Sequence, residues 1–174
     1  SDLLFVIVLI IVMAITASFL YPEDQFRLVG KPLSKPLTNG FLLGSDSLGR
    51  DVASGIVHGA KTSLLIGFVA TLVSVFVGIF FGAFAGYFGG IIDDILMRVT
   101  EIFQTIPSFI FAILLVAIMK PSMSSIVIAI AVVSWPGVAR LVRGEFLAVK
   151  NREFVQACHT LGMSDFRIML REIL

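Results

Sequence analysis

Four long runs without a single charged residue constrain this chain more than any other feature: Leu3–Leu20, Thr62–Phe88, Ile102–Met119 and Ser122–Ala139. A helix needs roughly 20 apolar residues, range about 17–25, to cross a bilayer. In hydrocarbon no water is present to satisfy backbone N–H and C=O groups, so such runs must be helical. The sequence therefore predicts an all-α, polytopic membrane protein with four transmembrane helices. Composition agrees, with 57% hydrophobic and 14% charged residues, too much apolar side chain for one soluble core. The first run could be confused with a signal peptide, but no Lys or Arg precedes it and it exceeds a usual signal core. Pro107 and Pro136 fall inside the third and fourth runs. Both are expected to be tolerated there if neighbouring helices or waters take up the freed carbonyls.

Four crossings place both ends on one side. The tail beyond Ala139 carries Arg140, Arg143, Lys150, Arg152, Arg167 and Arg171, which favours the cytoplasm for that side. The 21–61 loop would then lie outside, although it has basic residues of its own at Arg27, Lys31, Lys35, Arg50 and Lys61. The expected organisation is a first transmembrane helix at 1–20, an extracytoplasmic loop at 21–61, and a core at 62–174. A net charge of +1 from dispersed residues gives no reason to expect nucleic acid as a partner, and the single cysteine, Cys158, excludes an intrachain disulfide. The chain opens on Ser1 and not on methionine, as a stretch of a longer protein would.

Within the outer loop, Pro22, Gly30, Pro32, Pro36 and Asn39-Gly40 make a turn-rich stretch. Residues 42–62 differ. Ser45 or Asp46 can cap a helix, Asp46 and Arg50 stand at i,i+4, and Val52, Ile56 and Val57 share a face. This predicts a short helix, interfacial or simply surface-exposed, leading into the second crossing. That crossing carries small residues at Gly67, Thr71, Ser74, Gly78, Gly82 and Gly86. The overlapping G-x-x-x-G units allow close approach of another helix, either the chain's own or a partner's. Asp94, Arg98 and Glu101 form a ladder at i, i+4 and i+7 before the third crossing. It reads as a boundary structure, with a proton relay as the functional alternative.

Equipment for covalent chemistry is not found. GAKTS at 59–63 lacks the spacing of a phosphate-binding loop, and the two histidines, His58 and His159, fall on opposite sides of the expected topology. Cys158 beside His159 lacks further ligands for a metal.

The last segment, NREFVQACHTLGMSDFRIMLREIL, is the least membrane-like. Phe154, Cys158 and Leu161 form an apolar stripe, Gly162 suits the left-handed end of a helix, and Ser164 can cap the next. Phe166, Met169 or Leu170, and Ile173 form a second stripe, with Asp165 in the first turn. Two short amphipathic helices hinged at a glycine are expected, either as a knob on the cytoplasmic face or lying on lipid.

QACHTLG followed by SDFRIMLREIL resembles the EAA loop of binding-protein-dependent ABC importer permeases. Gln156-Ala157-Cys158 occupies the triplet, Gly162 the glycine and Leu174 the leucine of that motif. LGSDSLGRDVASGIVHGAKTSL, GYFGGIIDDILMRVTEIFQTIP and SWPGVARLVRGEFLAVKNREFVQA are similar to the dipeptide, oligopeptide and nickel group, C-type subunit. The resemblance implies that residues 152–174 are a coupling helix seated in a cytoplasmic ATPase, with Glu153, Phe154, Gln156, Ala157, Cys158, Leu161, Gly162, Asp165 and Arg167 as contacts. Gln156 replaces the acidic residue of the motif, and Cys158 and His159 stand where small and basic residues are usual.

It further implies a multi-pass protein of a bacterial or archaeal cytoplasmic membrane, both ends of this stretch cytoplasmic, with the remaining crossings following residue 174. The partners implied are a homologous permease subunit, two ATPase subunits that bind ATP and Mg, an extracytoplasmic substrate-binding protein, and the bilayer. The chain itself would bind no cofactor or metal and would not be an enzyme. An ion-coupled secondary transporter using Asp94, Arg98 and Glu101, or a scaffold packed through the glycine stripe, are the competing readings.

Overall fold

A computed structural model describes residues 2–22, 26–28, 30–38 and 41–173, the side chains of 2 and 18 excepted. The Asn39-Gly40 turn and Leu174 lie outside the described residues. Every regular element among the described residues is helical: α1 (Asp2–Leu20), α2 (Val52–Phe88), α3 (Gly90–Thr105), α4 (Ser108–Met119), α5 (Met123–Val149), α6 (Glu153–Thr160) and α7 (Asp165–Ile168), followed by a π-helical turn (Met169–Ile173). The chain forms two compact units, Ser1–Gly67 and Phe68–Leu174, with α2 running from one into the other.

Two helices, α2 and α5, are long and apolar enough to cross a membrane, and a third span exists if the bent α3–α4 pair is one broken crossing. The apolar stretch of α1, Leu3–Ala17, is shorter than that standard. Large hydrophobic side chains point outward along these helices, with Leu3 76%, Phe76 76% and Ile118 72% exposed. Such a surface is costly in water and natural in lipid.

The third predicted crossing is not one straight helix. Ile106 is extended (φ −89°, ψ 131°), and α3 and α4 meet at a bend of 82°. The cause is local: Pro107 pushes the residue before it out of the helical region and offers no N–H to continue the ladder. Pro136 is also preceded by a bulky residue, yet α5 passes through it unbroken with the ring fully buried.

In the first unit, the predicted short helix before the second crossing is replaced by turns up to Asp51 and then by continuous α2. Asp46 is diverted from capping a helix, because its Oδ1 accepts from the backbone N–H of Leu48 (2.8 Å) and of Arg50 (2.9 Å). The Arg50 Nε also lies 3.1 Å from Asp46 Oδ2 as an ion pair, though not in line to donate a hydrogen bond. Asp51 starts α2 instead, its Oδ1 accepting from the Ala53 N–H at 2.9 Å. Nothing between Val52 and Thr62 breaks the helix, whose 37 residues span about 55 Å against about 30 Å of hydrocarbon.

The same loop hides a repeat. Lys31-Pro32-Leu33-Ser34 and Lys35-Pro36-Leu37-Thr38 are successive turns with leucine at φ 54° and 58°. In each, the terminal hydroxyl donates back to the lysine carbonyl. Buried Ser45 ties the first turn down, accepting from Ser34 N–H (2.9 Å) and donating to Lys31 O (2.6 Å).

In the second unit the glycine stripe of α2 lies along α5. A Cβ placed on Gly78 would meet Val138, one on Gly82 would meet the Ala139 backbone and Val142, and one on Gly86 would meet Phe146 and the Arg143 backbone. That is the close helix approach small residues permit. Gly67, by contrast, faces nothing within 4 Å. Trp135 of α5 locks three helices, its ring 4.8 Å from Phe81 of α2 and 5.3 Å from Phe103 of α3.

Candidate functional site at residues 150 to 173

The polar tail folds back on the ends of α2 and α5. At the base of that junction Arg143 of α5 clamps Asp93 of α3 through two bonds, Nε to Oδ1 (2.5 Å) and Nη2 to Oδ2 (2.6 Å). The Asp93 side chain is only 12% exposed, so a planar guanidinium fork is what keeps its charge tolerable there. Just above, Ala83, Phe146 and Met169 form a buried cluster with Phe84, Tyr87, Val142 and Ile173 packed around it.

α6 turns into α7 through a closed cap. Gly162, at φ +76°, is followed by Met163, whose N–H donates to Cys158 O (3.1 Å), while the Gly162 N–H donates to His159 O (3.0 Å). This crossed pair is the Schellman arrangement, and its left-handed residue is the reason for a glycine at 162. Ser164 takes the extended conformation of a cap residue, but its hydroxyl makes no capping bond, contrary to expectation. Asp165 stands in the first turn of α7 as predicted, and its carboxylate is engaged by Tyr87.

Which face looks inward differs from the predicted stripes by about one residue. In α6 the buried side chain is Val155, at 0% exposure, while Phe154 is 45% and Leu161 80% exposed. In the second helix Ile168 and Met169 are buried and Phe166 and Leu170 face out. Of the second predicted stripe, Met169 and Ile173 do pack inward, while Phe166 does not; of the first, Phe154 and Leu161 do not hold the loop down. With Val155, Ile168 and Met169 as anchors, the outward side presents Glu153, Phe154, Gln156, Ala157, Leu161, Gly162, Asp165 and Arg167, with Cys158 half-buried. The Gln156 side-chain amide donates to the Asn151 carbonyl at 3.4 Å.

The remaining predicted groups are not brought to this loop. Arg98 and Glu101 pair with each other on the surface at 3.2 Å, and Asp94 beside them is exposed. Among the described residues no three His, Cys, Asp or Glu side chains gather as a metal set. Missed from sequence were the Asp93–Arg143 clamp and Tyr87. The hydroxyl of Tyr87 donates to Asp165 Oδ1 at 2.8 Å and stands 3.4 Å from His159 Nε2. These three line an open cleft of about 310 Å³ with Phe88, Lys150 and Asn151. Neighbour rules along a helix see i,i+4 partners, and these are 72 and 78 residues apart.

The profile of the family described as "Binding-protein-dependent transport system inner membrane component" matches residues 78–174, from the first glycine of the packed stripe to the end of the loop. The chain belongs to that family. Among curated proteins, it is 38% identical over 171 residues to the dipeptide transport system permease protein DppC of Bacillus subtilis, covering 98% of this chain and 53% of that one. Against the oligopeptide transport system permease protein OppC of the same organism the identity is 35% over 170 residues, covering 98% and 56%. Against the glutathione transport system permease protein GsiD of Pectobacterium atrosepticum it is 37% over 169 residues, covering 97% and 56%. The chain thus spans about half the length of the curated relatives it matches. Inner-membrane membership of the family and the apolar helices together make this a multi-pass membrane protein.

Proposed function

We propose that the chain is a membrane-spanning permease subunit of an ATP-driven ABC importer, moving peptides or a related small solute by alternating access. It pairs with a homologous permease subunit, takes substrate from an extracytoplasmic binding protein, and is driven by two cytoplasmic ATPase subunits that hold the ATP and Mg. In this reading α1, α2, the α3–α4 pair and α5 are four crossings, and both ends of the stretch lie in the cytoplasm. The relatives named for dipeptide, oligopeptide and glutathione transport support the substrate class.

One observation carries the coupling role. The loop is anchored from inside by Val155, Ile168 and Met169, yet leaves Phe154 and Leu161 exposed on a helix that also shows Gln156 and Ala157. An apolar ridge on an otherwise polar, anchored helix suits a groove on another protein. Phe154, Leu161 and their neighbours Glu153, Gln156, Ala157, Cys158, Gly162 and Arg167 form that contact, and Asp165 follows the turn.

Gly162→Val is the test. Nothing lies within 4 Å of a Cβ at 162, so the substitution fits sterically, but φ +76° is hostile to a β-branched residue, a strain of about 1–3 kcal/mol. The loop hinge should deform, ATP-driven uptake by the assembled transporter should fall at least about tenfold, and membrane insertion should be unchanged. Normal uptake in that variant would overturn the coupling role.

A further inference from the structure

The loop is joined covalently to α5 through Lys150, but its side chains also grip α2. Two kinds of contact do this. Met169 shares one buried cluster with Ala83 of α2 and Phe146 of α5, against which Phe84 and Tyr87 of α2 pack, a non-directional contact that tolerates sliding. The Tyr87 hydroxyl, by contrast, donates to Asp165 Oδ1 at 2.8 Å, a directional bond that holds one register. His159 of α6 completes the group, with Nε2 3.4 Å from the Tyr87 hydroxyl and Nδ1 3.7 Å from Asp165 Oδ1. One tyrosine therefore touches both helices of the loop. Its own ring is fixed, edge-on to Phe88 at 5.3 Å and against the Ala83–Phe146–Met169 cluster. α2 ends one residue later, where Gly89 and Gly90 take φ of 66° and 53°. Tyr87 is thus among the last side chains of α2, and it reaches the loop with a hydrogen bond.

We propose that Tyr87 is a positioning residue for energy coupling: its bond to Asp165 fastens the loop to α2, so that a displacement of the loop moves α2 together with α5. α2 and α5 are in turn pressed together along Gly78, Gly82 and Gly86, so the two helices and the loop form one lever. Without the bond the loop follows its covalent link to α5 and slips against α2. The inference rests on the coupling role proposed above, and it removes Asp165 from the set of free contacts for an ATPase.

The test uses the complete permease in membrane vesicles, with two readouts. Labelling of Cys158 by a maleimide, with the ATPase omitted, reports release of α6. Uptake per ATP hydrolysed in the assembled transporter reports coupling. Tyr87→Phe keeps the ring packing and removes only the hydroxyl, and should raise the labelling rate and lower uptake per ATP by roughly threefold to tenfold, the scale of one hydrogen bond. Asp165→Ala should match it, Asp165→Asn should recover most of the loss by keeping an acceptor oxygen, and the double variant Tyr87→Phe/Asp165→Ala should be no worse than either single. Unchanged labelling and uptake in Tyr87→Phe would overturn the latch, as would strictly additive effects in the double variant. So would a defect in Asp165→Ala alone, which would return Asp165 to the partner surface. Should the unaltered transporter show no ATP-driven uptake, the importer reading and the lever fail together. The labelling comparison then still decides whether the Tyr87–Asp165 bond holds the loop.

Discussion

The loop before α2 and the loop after α5 both leave apolar side chains exposed, but they are held by opposite means. The first is tied by short polar groups to its own backbone. Ser45 bridges Lys31 and Ser34, Asp46 gathers the N–H groups of Leu48 and Arg50, and Asp51 caps α2. The second is held by three buried apolar residues, Val155, Ile168 and Met169, and by the Tyr87 hydroxyl, which bonds Asp165 and stands beside His159. A segment stitched at many polar points keeps one shape. A segment resting on apolar anchors with one latch can be displaced as a body, which is what the coupling role proposed for it requires.

The largest expected effect breaks the second mode of anchoring. Ile168→Ala empties a site at 0% exposure and should loosen the loop by about 2–5 kcal/mol. Phe166→Ala, two residues away but 61% exposed, should change it by no more than about 0.5 kcal/mol. Hydrogen exchange across 153–173 measures both. Equal loosening by the two variants would mean that the loop is not seated on its inner face.

Acid should act on the first loop through Asp46. The Asp46 carboxyl is held below its ordinary range, first by the Arg50 backbone N–H, against some desolvation, and further by the Leu48 N–H and the Arg50 charge. A carboxylate whose folded value is depressed adds stability above its unfolded value, and that stability is lost as pH falls through the folded value. Protection of the Leu48 and Arg50 amides, corrected for intrinsic exchange, should therefore drop on acidification below the usual carboxylate range. Asp46→Asn, which keeps an acceptor oxygen but cannot titrate, should remove that dependence. A pH dependence that survives Asp46→Asn would assign it to another group.

Much of this architecture is legible in the residues, and the failures have physical causes. Uncharged runs mark the helices because lipid forbids charge, whatever the tertiary contacts. The two prolines were indistinguishable, since each disfavours helix at the residue before it. Their surroundings differ: Trp135, before Pro136, packs against Phe81 and Phe103 within an unbroken α5, whereas Ile106, before Pro107, is extended. The phase of α6 was out of reach for a related reason. Successive residues differ by about 100° on a helix, so in eight residues Phe154 and Val155 are both plausible inward positions until the surface beneath is known. The Asp93–Arg143 clamp escaped because its members are 50 residues apart, while the neighbouring Asp94 fitted a local ladder.

The smallest expected effect on stability separates anchoring from docking most sharply. Leu161 is 80% exposed at the end of α6, so Leu161→Ser should leave the loop's hydrogen exchange within about 0.5 kcal/mol of the original. If the outward ridge fits a groove on an ATPase, the same change removes an apolar anchor from the interface and should weaken association by about tenfold or more. Val155→Ser should do the reverse in order, unseating the loop first and weakening association only as a consequence. Affinity for the ATPase and loop protection, measured on both variants, therefore form a crossed pair. Should Leu161→Ser leave affinity intact while Val155→Ser reduces it, the partner reads the seating of the loop and not its exposed ridge, and the contact surface would have to be sought beyond Phe154 and Leu161.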